Sequence, residues 1–208
     1  MQTFRYFAVL PLVAVISVSQ AQAQPAAQAT PAALVQAMVE HTMAAIYADA
    51  GARSGDMAKT VAVVQREFLP YTNFERTTQL ALGPSWRDAT PEQRQQLFQQ
   101  FQTLLVRSYA LSLAQMREQN VKFRFQPERK GSGPNDAVVA SRVLFNGDEQ
   151  QIDYRLQRTP AGWRVYDINM MGAWLIEVYR RQFADIVARD GIAGLLAYLS
   201  RHNASTGD

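Results

Sequence analysis

The chain has no cysteine in its 208 residues. A disulfide framework is therefore excluded, and so is a lipoprotein anchor, which needs a cysteine at the processing site. Histidine is nearly absent as well, with only His41 and His202. These stand far apart in the sequence, and no H-x-x-x-H pair occurs, so a transition-metal site has few ligands to draw on. There is no phosphate loop of the G-x-x-x-x-G-K type, no dinucleotide fingerprint and no G-x-S-x-G elbow. Charge is sparse and mixed. The net charge is +3, with no block of Lys and Arg that would mark a nucleic-acid footprint. The fold must stand on its core alone, and a mature chain of roughly 185 residues is long enough to bury one.

The N-terminus carries the order of a secretory leader. Arg5 supplies the positive charge, an apolar stretch runs from Tyr6 to Val18, and Ala21-Gln22-Ala23 supplies the A-x-A pattern. This predicts a signal peptide over residues 1–23, cleaved after Ala23, and export from the cell interior. The apolar run falls short of the roughly 20 residues of a membrane span, although a retained N-terminal anchor is the competing reading. No Arg pair precedes the run, which points to the general secretory route. Residues 24–30 are small and polar and are expected to be a flexible mature N-terminus.

Helical signals follow. Thr30-Pro31 is a cap followed by proline at the first helical position, and Leu34, Met38 and Ile46 lie broadly on one side of a helix from Pro31 to about Asp49. Gly51 to Asp56 is read as a break. Val61, Val64 and Phe68 mark a second helix from Met57, ended by Pro70, and a shorter helix runs from about Asn73 to Leu82. Thr90-Pro91-Glu92-Gln93 is a capping box. The helix it opens is expected to reach as far as Glu118, with Leu97, Phe98, Phe101, Leu104, Leu105, Tyr109, Leu113 and Met116 in steps of three and four.

After Asn120 the apolar period changes from 3.6 to 2. Val121, Phe123 and Phe125 share one face of a first strand. Ala137 to Phe145 is a second, ended by the hairpin signal Asn146-Gly147-Asp148. Ile152, Tyr154 and Leu156 share one face of a third, and Trp163 to Met170 makes a fourth. Short connections imply an antiparallel meander. From Gly172 a last helical region is predicted, with Trp174, Leu175, Val178, Tyr179, Phe183, Ile186 and Val187 in its stripe. Gly191 interrupts it, and Ile192, Leu195, Leu196 and Leu199 continue. Helices, four strands, then helices make one α+β domain over residues 31–201, and residues 202–208 are a polar tail expected to fray.

Catalytic material is thin. Asp153 and Asp167, on adjacent strands, could form a carboxylate pair for acid–base work, or lie ionised on a solvated sheet face, or pair with Arg155 or Arg164. The amphipathic stripes are the dominant feature, yet a hollow core and a filled core look alike in sequence. The residues alone lead to an exported α+β domain without evident catalytic machinery.

Several short blocks in order carry a resemblance. They are Leu69-Pro70-Tyr71, then Leu80-Ala81-Leu82-Gly83, Trp86 and Ala89-Thr90-Pro91-Glu92-Gln93-Arg94. The series continues with Phe98, Phe101, Leu105 and Tyr109, then Trp163-Arg164-Val165-Tyr166-Asp167, Gly172, Tyr179-Arg180-Arg181-Gln182-Phe183 and Gly191-Ile192 with Leu195 and Leu199. In these the mature chain resembles the MlaC, or toluene-tolerance, family of periplasmic phospholipid-binding proteins. The resemblance implies a twisted four-stranded antiparallel sheet wrapped by helices around an apolar lipid cavity. It implies no enzyme activity and no cofactor. Its implied partners are a phospholipid with buried acyl tails, an outer-membrane lipoprotein–porin complex, and an inner-membrane ABC transporter with a periplasmic substrate-binding ring. The function it implies is a periplasmic shuttle that maintains outer-membrane lipid asymmetry. A carrier of another apolar ligand, such as a hopanoid or an aromatic solvent, is the alternative.

The cavity candidates are Phe101, Leu105, Tyr109, Phe123, Phe125, Phe145, Tyr154, Ile168, Trp174, Tyr179 and Phe183. Tyr71, Trp86 and Arg180 are expected instead to fix helix junctions and the sheet edge. The family often carries Gly-Val-Ser-Leu after the fourth strand, where this chain has Gly172-Ala173-Trp174-Leu175. If Trp174 faces the cavity, its bulk makes that cavity narrower.

Overall fold

A computed structural model describes residues 29–116, 121–145 and 147–205. The expected signal peptide and residues 24–28 lie outside the described residues. Thr30 caps α1 (Pro31–Ala48), its hydroxyl accepting from the Ala33 amide at 3.2 Å. The expected break after it is itself one short helical turn, α2 (Ala50–Ser54). Asp49 accepts from the Ala52 amide at 2.9 Å to open that turn, and Gly55 closes it in the left-handed region at φ +98°. Next comes α3 (Met57–Val63), which widens into a π-helical turn over Val64–Phe68 and tightens into a 3₁₀ turn over Leu69–Tyr71. Pro70 has no amide with which to prolong the ladder.

Asn73 caps α4 (Phe74–Leu82), and α5 (Ser85–Asp88) is a single turn. The predicted capping box opens α6 (Pro91–Met116): the Gln93 amide donates to the Thr90 hydroxyl at 3.2 Å, and the Thr90 amide donates to Gln93 Oε1 at 3.0 Å.

The strands are β1 (Lys122–Phe125), β2 (Arg129–Lys130), β3 (Asp136–Phe145), β4 (Asp148–Thr159), β5 (Gly162–Met170) and β6 (Ala173–Trp174). They form one antiparallel sheet in the order β1-β3-β4-β5-β6, with β2 also paired to β3. The four expected strands are present, and two strands of two residues extend the sheet. One of these corrects the reading of Trp174, which lies on β6 and not in a helix. Met171 and Gly172 take φ of 52° and 88°, so a tight hairpin reverses the chain before a helix can start.

Only then does α7 (Leu175–Ser205) begin. It breaks at Gly191, where φ is 68° and ψ −175°, as the sequence predicted. The expected fraying at His202 does not occur before Ser205. Asn203 Nδ2 donates to the Gln100 carbonyl at 2.9 Å, and Arg107 donates to the Asn203 carbonyl, which pins the end of α7 to α6.

Register decides what the sheet presents. Phe125 stands opposite Ser141, Ser141 opposite Ile152, and Ile152 opposite Met170; Val139, Tyr154 and Ile168 form the next row. Directly paired residues point the same way, so the apolar faces of β1 and β4 become one surface. A bulge sits where Arg155 pairs with Asp167 while Leu156 pairs with Val165. The extra residue on β5 puts Val165 and Asp167 out of step with simple alternation.

Two apolar clusters result. The first joins α1, the π turn and the second half of α6 to the apolar face of the sheet, through Leu34, Val35, Met38, Phe68, Val106, Tyr154 and Ile168 among others. The second joins α4, α6 as far as Leu105, and α7, through Phe74, Leu97, Phe101, Leu105, Phe183 and Leu195. Arg180 supports the second junction, its Nε donating to the Leu80 carbonyl at 2.8 Å. No helix among the described residues is long and apolar enough to cross a membrane.

Candidate functional site

The first cluster is not completely filled. A cavity of about 70 Å³ lies inside it, lined by Val39, Thr42 and Met43 of α1, Phe68 of the π turn, Tyr109, Ser112 and Leu113 of α6, and Phe123, Ile152, Tyr154, Ile168 and Met170 of the sheet. The lining contains no ionisable group except the two tyrosines. Both phenols are buried, and burial drives their pKa values well above the ordinary tyrosine range; for Tyr109 the nearby Asp167 carboxylate adds to the effect. They stay neutral at any physiological pH. Thr42 spends its hydroxyl on the Met38 carbonyl at 2.7 Å. The wall therefore offers apolar contact and little hydrogen bonding, which suits hydrocarbon and offers nothing for proton transfer or nucleophilic attack.

Its volume sets a condition. Sites for small molecules usually measure roughly 300–1,000 Å³, so a long acyl chain enters only if the lining parts. Met43 and Met170 favour that, because methionine is unbranched and repacks more easily than a β-branched side chain. Phe123 also lies on β1, a short strand with a single long neighbour, β3.

The eleven sequence candidates divide. Tyr109, Phe123, Tyr154 and Ile168 are brought together around the cavity. Phe125 lies beside it, its ring stacked on Phe123 at 6.1 Å. Phe101, Leu105, Tyr179 and Phe183 belong to the second cluster. There the Phe101 ring stands edge-on to Phe183 at 5.1 Å and to Tyr179 at 5.0 Å. α6 carries Phe101 and Leu105 on the N-terminal side of Val106, before the stripe passes from α7 to the sheet. Phe145 ends β3, and its side chain lies outside the described residues. Trp174 lies against Arg155, whose guanidinium carbon is 3.7 Å from the ring centroid. It does not line the cavity, so its bulk does not narrow it.

Sequence reasoning missed Val39, Thr42, Met43, Phe68, Ser112, Leu113, Ile152 and Met170 as lining residues. A signal for α1 was available, since Met38, Val39, Thr42, Met43 and Ile46 follow steps of three and four and all are buried.

The two aspartates are not on a solvated face. Asp153 is 5% exposed and Asp167 3%, so that reading is corrected. Each meets a polar side chain of β4. Asp153 accepts from Gln151 Nε2 at 2.6 Å. Asp167 pairs with Arg155 at 3.0 Å, as one sequence reading allowed, and its other oxygen accepts from the Ile168 and Ile176 amides at 3.0 and 3.1 Å. Ile176 lies in the first turn of α7, so Asp167 holds that helix to the sheet. Burial raises its pKa, against the lowering effect of the Ile176 amide and Arg155. His41 and His202 are both exposed. No group of three metal-ligating side chains occurs among the described residues.

Two of the proteins that this chain resembles are named for phospholipid. The family described as MlaC protein has a model that matches residues 36–201. The chain is 23% identical over 178 residues to the intermembrane phospholipid transport system binding protein MlaC of Haemophilus influenzae, covering 84% of this chain and 83% of that protein. It is 28% identical over 105 residues to the toluene tolerance protein ttg2D of Pseudomonas putida, covering half of this chain and 48% of that protein. The fold superposes with a TM-score of 0.80 on a phospholipid-binding protein of Ralstonia solanacearum solved in complex with a phospholipid. The two are 40% identical, over 86% of this chain and all of that one.

Proposed function

The chain belongs to the MlaC family, and we propose that it binds phospholipid by the acyl chains and carries it between membranes, without catalysing a reaction. The observation that carries this reading is the apolar cavity between α1, α6 and the sheet. The physical need is plain. Burial is worth about 0.8 kcal/mol per CH₂, so two chains of about 16 carbons cost on the order of 25 kcal/mol to expose to water. Lipid does not cross an aqueous gap unaided at a useful rate. A carrier has to offset most of that cost while letting go at its destination. Apolar walls with little hydrogen bonding meet both demands.

The finer reading is that the carrier works in the periplasm. It would move lipid between an outer-membrane lipoprotein–porin complex and the substrate-binding ring of an inner-membrane ABC transporter, and so maintain outer-membrane lipid asymmetry. The leader-like residues 1–23 support export, and the family resemblance supports the partners.

The size of the cavity, about 70 Å³, favours one second reading: a carrier of a smaller apolar ligand, such as an aromatic solvent. Native mass spectrometry of protein purified from the periplasm, followed by solvent extraction, separates the two. A mass excess equal to one or two diacyl phospholipids is expected. Protein that arrives without phospholipid and takes none from liposomes would overturn the phospholipid reading.

A further inference from the structure

Behind the main cavity lies a second, smaller void of about 10 Å³, bounded by Thr72, Phe74, Thr77, Val165, Tyr166 and Asp167. Phe68, Tyr109 and Ile168 line both spaces and so form the partition between them. Ile168 is fixed in β5 by its pairing with Tyr154. Phe68 and Tyr109 are different, because they meet as one aromatic pair, with ring centroids 5.4 Å apart and planes inclined at 55°.

Phe68 also occupies an unusual backbone position. It is the last residue of the π-helical turn Val64–Phe68, and Leu69-Pro70 follows. A π turn spreads its residues wider than an α turn and is often found at functional sites. Here the turn ends at Phe68, whose ring meets that of Tyr109. Beyond the partition the chemistry changes. The second void has Thr77, whose hydroxyl donates to the Tyr166 carbonyl at 2.7 Å, and the Asp167 carboxyl. These groups are buried with their hydrogen bonds already made, so a hydrocarbon end that reached them gains less than it does against the apolar wall.

We propose that the Phe68–Tyr109 pair is the floor of the cavity and sets how long an acyl chain the protein accepts. This inference deepens the phospholipid reading and rests on it. Phe68 is the adjustable half, since its ring carries no polar atom and hangs from the end of a turn. Trimming it joins the two voids and deepens the cavity, and enlarging it raises the floor.

The test offers protein stripped of lipid to liposomes containing equimolar phosphatidylethanolamines with chains of graded length, then identifies bound species by mass spectrometry. Phe68→Leu is expected to move the bound distribution toward longer chains and Phe68→Trp toward shorter ones. Phe183→Leu, in the second cluster, is expected to leave it unchanged. Circular dichroism establishes which variants fold, and either Phe68 variant alone suffices. If wild type takes up phospholipid while a folded Phe68 variant binds the same chain lengths, the floor is overturned and the carrier reading stands. A folded Phe68 variant that binds no lipid overturns it too, because a floor limits depth and not binding. Wild type that takes up no phospholipid removes the carrier reading and this inference with it.

Discussion

The two halves of α6 carry the same kind of stripe and do different things with it. On the N-terminal side of Val106, Leu97, Phe101, Leu104 and Leu105 meet α4 and α7, and the space is filled by aromatic rings packed edge to face. In the second half, Val106, Tyr109, Ala110 and Leu113 meet α1 and the sheet, and a cavity remains. The difference lies in the opposing surface. Helices facing helices interlock their side-chain ridges closely. Here α1 and α6 both lie against one sheet face, and the side chains between the three elements do not fill the space.

The strongest way to break this comparison is to put a charge into the filled half. Leu105 is 1% exposed, and Leu105→Arg buries a guanidinium with no partner. That should remove a large share of the roughly 5–15 kcal/mol that keeps a domain folded. The cooperative thermal transition followed by circular dichroism should disappear. A folded Leu105→Arg protein that has merely lost lipid would place Leu105 in a cavity after all.

Next in size is Phe101→Ala, which should cost about 3–5 kcal/mol in urea unfolding and leave phospholipid uptake by the folded protein unchanged. The counterpart in the hollow half is Phe123→Asp. Phe123 is only half-buried at the sheet's β1 end, so the loss of stability should stay within the about 0.5–3 kcal/mol of ordinary substitutions. Uptake from liposomes should fall several-fold, because the new carboxylate faces the acyl chains. Equal effects of these two substitutions on uptake would erase the distinction between the halves.

The smallest effect concerns Asp167, which ties the sheet to the start of α7. Burial raises its pKa above the ordinary 3.8. A carboxyl raised on folding contributes stability that is complete below its unfolded pKa and is lost as pH rises through the folded value. The stability of wild type relative to Asp167→Asn should therefore be greatest in strong acid, fall as pH rises through the folded pKa of Asp167, and level off above it. Urea titrations at a series of pH values measure it. A difference that grows as pH rises would mean that the ion pair with Arg155 outweighs desolvation.

Much of the fold was legible because its signals are local. Thr30, Asn73 and Thr90 cap helices through their own hydroxyl or amide oxygens, Pro70 and Gly191 stop or break them, and alternation marked β1 and β4. The readings that failed depend on partners distant in sequence. Trp174 looked helical by its spacing from Val178, but the hairpin at Met171-Gly172 and pairing with Asn169 hold it on a strand. For Asp153 and Asp167 the solvated-face reading failed while the pairing of Asp167 with Arg155 held, because alternation separates the two faces of a strand without saying which polar side chains fold over them. For the site, aromatic residues were favoured in the sequence, yet the cavity wall draws equally on Val39, Met43 and Met170.

The sequence by itself determined that this chain makes capped amphipathic helices around an antiparallel meander, without thiols and with little that could carry catalysis. Those properties reside in backbone propensity, residue chemistry and spacing, which act over a few residues. Only the tertiary structure decided which stripe closes on itself and which leaves a void. A cavity is a property of two surfaces that fail to fill the space between them, and neither surface contains that information alone.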